Sequence, residues 1–252
     1  MTLLLDVGNS RIKAGLLKGA AMEPLGRAEH RGAEMSSVIE ELGLPDGGVS
    51  RILACCVAGT EVRDALAMAL RARYGVMTGF IGAKREACGV LNAYPEPGRL
   101  GADRWAALIG AHARGLSPAC IVDAGSALTV DGLADGAHLG GLIIPGVEMM
   151  QQALFEKTGD LRSLSQAPLS GGQELFANDT REAIVRGSLV AAASVVREAR
   201  RELARRLGRG PVVVLSGGDA ERVLALLDEE VIHAPHLILE GLAQLALQEQ
   251  VA

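Results

Sequence analysis

Short apolar runs alternate with segments of helical period along this chain, which is the pattern of an α/β protein. Leu3, Leu4 and Leu5 lead into a glycine turn, and residues 12–17 resume the apolar pattern, predicting a β-hairpin. Residues 51–57 form a second apolar run, closed by Gly59. Behind it Val62, Ala65, Leu66, Ala69 and Leu70 fall on one helical face, and Gly75 stops that helix. Residues 104–114 are alanine-rich and predict a helix with Gly115 after it. The pattern then restarts. Residues 119–122 run as a strand into Asp123-Ala124-Gly125-Ser126 and on to Leu128-Thr129-Val130, and residues 139–144 predict another strand, ended by Pro145-Gly146. Asp179 and Glu182 have capping-box spacing before a long helix over residues 181–207, closed by Gly208. Residues 212–215 read as a strand, followed by Gly217-Gly218 and a helix through Leu227; residues 239–248 predict a final helix.

The restart has the form of an internal repeat. Residues 3–17 and 120–133 share a strand, an Asp-x-Gly turn and a second strand, with a further glycine nine residues after the aspartate (Gly15 and Gly132). Residues 55–66 and 214–226 share a strand, a glycine turn and a helix. Two copies of one unit predict two similar domains, 1–117 and 118–252, facing a cleft; the boundary falls at the turn cluster Leu116-Ser117-Pro118. The period is too long for a solenoid.

Composition narrows the function. Net charge is -5, so the chain lacks the basic footprint of a protein that neutralises a phosphate backbone, and direct nucleic-acid binding is not expected. A single nucleotide remains a suitable ligand, because backbone amides and helix ends hold phosphate without net positive charge. Cys55, Cys56, Cys88 and Cys120 show no C-x-x-C spacing of a zinc site, and Cys55, Cys56 and Cys120 lie in apolar runs and read as reduced core thiols of a cytoplasmic protein. His30, His112, His138, His233 and His236 show no ligand spacing and read as surface or core residues. The start, MTLLLDVGNS, has no basic n-region and is broken early by Asp6, and no apolar stretch is long enough to cross a bilayer, so neither a signal peptide nor a membrane partner is expected.

Several segments could carry chemistry. Asp6-Val7-Gly8-Asn9-Ser10-Arg11-Ile12-Lys13 places a carboxylate at a strand end before a tight glycine turn, an arrangement that can hold hydrated Mg²⁺ beside phosphates, while turn amides, Asn9 and Ser10 contact the phosphates. The plain alternative is a hairpin whose Gly8-Asn9 supplies positive φ. The second Asp-x-Gly-Ser, at residues 123–126, favours the first reading. Gly217-Gly218-Asp219 permits close approach of an adenosine group or phosphate, or serves as an ordinary strand–helix turn. Neither a G-x-G-x-x-G nor a Walker A sequence is present. The loop from Asn92 through Tyr94 ends in Gly101-Ala102-Asp103-Arg104, with a helix beginning there. Asp103 is either an N-cap beside a solvated arginine or a base that accepts a proton from an attacking hydroxyl, with Arg104 gripping a substrate carboxylate. Asn178-Asp179-Thr180 caps a helix and can add a substrate contact from Thr180; Thr158-Gly159-Asp160-Leu161 reads as a turn.

Together these segments resemble type III pantothenate kinase. The matching stretches are DVGNSRIK (6–13), the tyrosine loop ending GADRW (101–105), DAGSALTVD (123–131), GGLIIPG (140–146), NDT (178–180) and LSGGDA (215–220), all in the family's order. The resemblance implies two actin-like (ribonuclease H-like) domains, ATP with Mg²⁺, a monovalent cation (K⁺ or NH4⁺), a homodimer, and phosphorylation of pantothenate to 4′-phosphopantothenate. It implies that residues 6–13 form the ATP-phosphate loop with Asp6 near Mg²⁺ through water. It places Tyr94, Gly101, Ala102, Asp103 and Arg104 at the pantothenate site with Asp103 as general base. It makes Asp123 a monovalent-cation ligand, Ser126 an ATP contact and Thr180 a pantothenate contact from a second copy. Ser10 and Ser126 stand where the family often has threonine; both keep the hydroxyl. The rival readings are a nucleotide-binding accessory regulator of gene expression and a sugar kinase on the same fold.

Overall fold

A computed structural model describes residues 1–157, 175–227 and 230–251. The turn expected at residues 158–161 lies outside the described residues. The chain divides into two compact units: Met1–Ser117 with Leu133–Gly140 and His236–Ala252, and Pro118–Gly132 with Gly141–Pro235. The cut after Ser117 coincides with the turn cluster seen in the sequence, while the C-terminal segment packs with the first unit rather than with the half that precedes it.

In the first unit β1 (Thr2–Val7) is buried along its whole length and pairs antiparallel with β2 (Arg11–Lys18). β3 (Ala21–Glu29) follows on the outside of β2, then α1 (Met35–Glu41). β4 (Arg51–Cys56) returns parallel to β1, α2 (Thr60–Tyr74) closes on Gly75 in the left-handed conformation, and β5 (Thr78–Phe80) adds at the far edge. The sheet order is β3-β2-β1-β4-β5. Short strands β6 (Glu86–Ala87) and β7 (Val90–Leu91) and a 3-10 turn (Pro97–Arg99) lead into α3 (Ala102–Ala113).

The second half of the chain repeats this plan, although the hairpin end of β9 and β10, residues 133–140, packs with the first unit. β8 (Ala119–Ala124), β9 (Ala127–Ala134) and β10 (Ala137–Pro145) are followed by α4 (Val147–Lys157), α5 (Thr180–Leu207), β11 (Val212–Ser216), α6 (Ala220–Leu224) and β12 (Val231–His233). The order β10-β9-β8-β11-β12 matches β3-β2-β1-β4-β5 position by position, with β11 parallel to β8 as β4 is to β1. α5 begins at an Asp179 cap that accepts from the Glu182 amide (3.1 Å) and ends at left-handed Gly208. α6 is shorter than the sequence pattern predicts, ending at Leu224 rather than Leu227.

β3 was not foreseen because it has no apolar face: Ala28 is its one buried residue and Pro24 sits within it, as befits an edge strand. The last helix, α7 (Leu237–Val251), lies against α3 in the first unit, where the two backbones touch. A Cβ on Gly241 would overlap the Ala106 carbonyl, and one on Gly110 the Leu237 carbonyl. Gly241→Ala therefore sets an overpacking penalty of about 1–3 kcal/mol or more against a helix-propensity gain of about 1 kcal/mol. We expect a lower urea midpoint for Gly241→Ala; a midpoint raised above wild type would mean that the helices do not meet this closely.

Candidate active site

The loop after β1 is fixed from both sides. Val7 and Ile12 pair across β1 and β2 and are fully buried, so these two members of the 6–13 segment are core residues that anchor the turn. The Gly8 amide donates to the Arg11 carbonyl at 3.0 Å, and neither Gly8 nor Asn9 takes a positive φ. A two-residue hairpin turn of the Asn-Gly kind needs positive φ, so the plain-hairpin alternative does not describe this loop. His30, buried at the end of β3, donates from Nε2 to the Gly8 carbonyl (2.7 Å) and from its backbone to the Ser10 carbonyl (3.1 Å), and Arg31 reaches the Asn9 carbonyl at 3.4 Å. Three successive loop carbonyls are thus occupied by residues 30 and 31. No local pattern signals this role, since His30 lies in a polar stretch without ligand spacing. Arg11 points to Glu29 (3.0 Å) on the exposed side of β2 and β3, and Lys13 pairs in register with Asp6.

Asp6 is 8% exposed. The fully buried Cys55 thiol on β4 donates to its Oδ1 at 3.4 Å. Burial pushes the Cys55 thiol well above its usual range, and the negative charges of Asp6 and Asp103 push it further. The thiol therefore stays protonated and remains a donor. That Asp6 and Asp103 both act on one buried thiol places the two carboxylates in a common neighbourhood.

Asp103 sits in the first turn of α3, but the N-cap is Gly101 and not Asp103. Asp103 Oδ1 accepts the backbone N–H of Arg104 at 2.7 Å, satisfying one of the donors a helix start leaves over. Gly101 makes room for this: a Cβ there would lie 2.5 Å from Asp103 Oδ1. Arg104 is buried, at 6% exposure, so it is not the solvated arginine of the capping alternative. Its Nη1 donates to Tyr94 Oη (3.0 Å), with the guanidinium carbon 5.7 Å from the ring centre. The Tyr94 ring stacks on His138 of β10 at 5.9 Å and 18°. Asn92 shapes the loop from below, accepting the Tyr94 amide and donating to the Lys84 and Pro97 carbonyls. Gly101 through Arg104, Tyr94 and His138 thus form one connected group in the first unit. His138 was missed because nothing in its sequence setting separates it from an ordinary strand residue.

In the second unit Asp123 ends β8 as Asp6 ends β1, and Ser216 on β11 donates to its Oδ1 at 2.8 Å. The loop is braced by glycines. Gly146 packs where a Cβ would overlap the Gly125 and Ser126 carbonyls, and its amide donates to Ser126 O at 3.0 Å. Gly217 (φ 103°) packs on the Ala124 backbone with no space for a side chain, and the Asp219 amide donates to Ala124 O. Gly217 therefore serves the strand–helix turn itself. Thr180 is exposed at the first position of α5. Among the described residues no group of three or more His, Cys, Asp or Glu side chains converges as a metal cage. That donor chemistry fits a cation held by one carboxylate with water and phosphate oxygens, as Mg²⁺ commonly is.

The family model described as type III pantothenate kinase matches residues 2–202. Relatives carrying that name include a protein of Nitrosococcus oceani, 35% identical over 98% of this chain and 94% of its own length, and one of Aromatoleum aromaticum, 37% identical over the full length of both. Among solved structures, a Baf-family protein from Campylobacter jejuni superposes with TM-score 0.59 at 20% identity, covering 99% of this chain and 100% of that one. Component A of (R)-2-hydroxyglutaryl-CoA dehydratase from Acidaminococcus fermentans superposes with TM-score 0.53 at 15% identity, covering 99% and 98%. These likenesses, with the duplicated β3-β2-β1-β4-β5 plan, make the fold that of the actin-like ATPases and sugar kinases. By sequence over nearly its whole length, the chain belongs to the type III pantothenate kinase family.

Proposed function

We propose that this chain transfers the γ-phosphoryl group of ATP to the 4′-hydroxyl of pantothenate, giving ADP and 4′-phosphopantothenate, the first committed step towards coenzyme A. Family membership supports the reaction class, and the observation that carries the residue assignment is the placing of Asp103 beside the Arg104–Tyr94 pair while it shares the Cys55 environment with Asp6. Asp103 is the general base: it takes the proton of the attacking hydroxyl as the oxygen closes on phosphorus in line with the leaving ADP. Arg104, held by Tyr94, grips the pantothenate carboxylate with its planar fork. Gly101 and Ala102 give the acceptor access to Asp103. Residues 8–11, Lys13 and Ser126 hold the phosphates by amide, hydroxyl and side-chain donors, with Val7 and Ile12 anchoring the loop from the core. Asp6 would hold Mg²⁺ through water, and Asp123 a monovalent cation, K⁺ or NH4⁺. When bound, these cations neutralise charge on the transferring phosphoryl group.

Thr180, exposed at the start of α5, suits a contact to pantothenate bound by a second copy, and we take the working form to be a cytoplasmic homodimer. The regulatory and sugar-kinase readings draw no comparable support. A regulator has no use for a base at a helix start next to a buried arginine, and the curated relatives carry the pantothenate kinase name.

ADP release measured by a coupled assay should depend on pantothenate and should fall when sodium replaces potassium. Release that ignores pantothenate would overturn the substrate assignment. Asp103→Asn should fold, bind ATP normally and lose about 10²–10⁴-fold in kcat; a kcat within threefold of wild type removes Asp103 from the chemistry. Gly101→Ala should lower kcat by about tenfold or more through displacement of Asp103, since a misplaced reacting group loses much of its advantage, with the affinity for ATP kept. An unchanged kcat in that variant would show that the contact at Gly101 does not set the position of the base.

A further inference from the structure

The two units share more than strand order. In each, the strand that ends in the loop aspartate lies parallel to a neighbour that carries a small donor at the same register. Asp6 pairs with Cys55 across β1 and β4, and Asp123 pairs with Ser216 across β8 and β11. Residues paired across adjacent strands project to the same face, roughly 5 Å apart. The outcome is the same in both units: Cys55 Sγ lies 3.4 Å from Asp6 Oδ1, and Ser216 Oγ 2.8 Å from Asp123 Oδ1. Ser216 Oγ also approaches the Val122 carbonyl at 3.2 Å, but the carboxylate is the nearer acceptor. Both donors are buried, at 0% and 1% exposure.

Packing alone does not call for a polar atom at either place. The preceding positions of these strands are apolar: Ile52, Leu53 and Ala54 on β4, and Val213, Val214 and Leu215 on β11. A buried donor that met no acceptor would destabilise the strand. Here each donor meets the one carboxylate of its sheet end. A carboxylate at a strand terminus rotates about two side-chain bonds, and a donor on one oxygen fixes that rotation. The remaining lone pairs then point in one direction, which is the precondition for holding a cation with defined geometry.

We propose that Cys55 and Ser216 are equivalent positioning residues, one in each half of the duplicated fold, which aim the Asp6 and Asp123 carboxylates at the two cations of the reaction. The proposal rests on the reading above, in which Asp6 serves the Mg²⁺ of the nucleotide and Asp123 the monovalent cation. It makes the two donors separable: each governs its own cation. It also makes them interchangeable in kind, because a hydroxyl at residue 55 or a thiol at residue 216 still supplies a donor.

The test uses the full-length protein with Cys55→Ala, Cys55→Ser, Ser216→Ala and Ser216→Cys. Calorimetric titration with ADP over a range of Mg²⁺ concentrations reads the divalent site. Thermal melting over a range of KCl at saturating ADP reads the monovalent site. Half-saturation for each cation in the coupled assay completes the set. Cys55→Ala should raise the Mg²⁺ requirement by about three- to tenfold, the effect of losing one hydrogen bond to a charged group, and leave the K⁺ requirement within twofold. Ser216→Ala should do the reverse. Cys55→Ser and Ser216→Cys should regain most of the loss. If the alanine variants lower the melting temperature but move neither cation, or move both alike, the donors are packing elements and the proposal fails. Asp6→Asn and Asp123→Asn separate the two levels: unchanged cation dependence in these variants overturns the cation assignments and the proposal with them, whereas the expected losses there, beside unaltered alanine variants, overturn the positioning role alone.

Discussion

A carboxylate near the end of an apolar interior strand is the constraint around which both units are built. β1 and β8 are interior strands of their sheets and are almost wholly apolar up to the aspartate. Burial of a charge is costly unless donors surround it, so the loop that follows must turn tightly and the neighbouring strand must offer a polar hydrogen at the matching register. In the first unit the answer is a thiol from β4, with a loop whose carbonyls are drawn away by His30 and Arg31. In the second it is a hydroxyl from β11, with a loop braced from behind by Gly146 and Gly217. The parallel pairing is what makes either possible, because it sets Asp6 opposite Cys55 and Asp123 opposite Ser216 with no shift.

Much of this architecture is legible in the sequence, and the reason is the same constraint. Buried strands must be apolar throughout, so β1, β4, β8 and β11 stand out as short runs, and the tight turns after them demand glycine. Helix ends are equally plain where chemistry fixes them: Asp179 three residues before Glu182, and Gly75 and Gly208 in the left-handed conformation. What is not legible is whatever depends on partners far along the chain. β3 is an exposed edge held by β2 and carries no apolar period. The return of α7 to the first unit rests on two glycines, Gly110 and Gly241, distant in sequence and meaningful only as a pair. His30, His138, Cys55 and Ser216 gain their roles from register and stacking, neither of which leaves a local pattern.

The loop around the acceptor site shows how a short motif can serve structure and chemistry at once. An N-cap reading and a catalytic reading of Asp103 compete in the sequence, and the structure has a third arrangement, compatible with the proposed role, in which Gly101 is the N-cap. Asp103 lies in the first turn of the helix, binds the next backbone amide and depends on Gly101 for the space to do so. Capping of the orphan amide and presentation of the carboxylate then come from one rotamer. Arg104 needs a comparable device, since a long cationic side chain does not hold one position by itself. Tyr94 supplies it with a hydrogen bond and a ring face, and His138 in turn holds the ring. The chain is poor in aromatic residues, at 2%, so the use of one of its two tyrosines here is not a by-product of core composition.

Charge gives the arrangement its final logic. The chain carries a net -5, and on the proposed reading its two substrates are both anions. Long-range attraction cannot then gather them, so positive charge has to be supplied at short range and in fixed places. Many surface arginines are committed elsewhere: on α5, Arg201 pairs with Glu198, and Arg205 and Arg206 with Glu202. On that reading the sources of positive charge are a buried guanidinium, the amides of tight turns, and cations that single carboxylates would bring in. A carboxylate that serves a cation in this way must be held still, because a mobile one binds the ion in many weak geometries rather than one strong one. Strand-end aspartates with buried donors in register satisfy that requirement, and the twofold use of one device follows from the duplication of the unit that contains it.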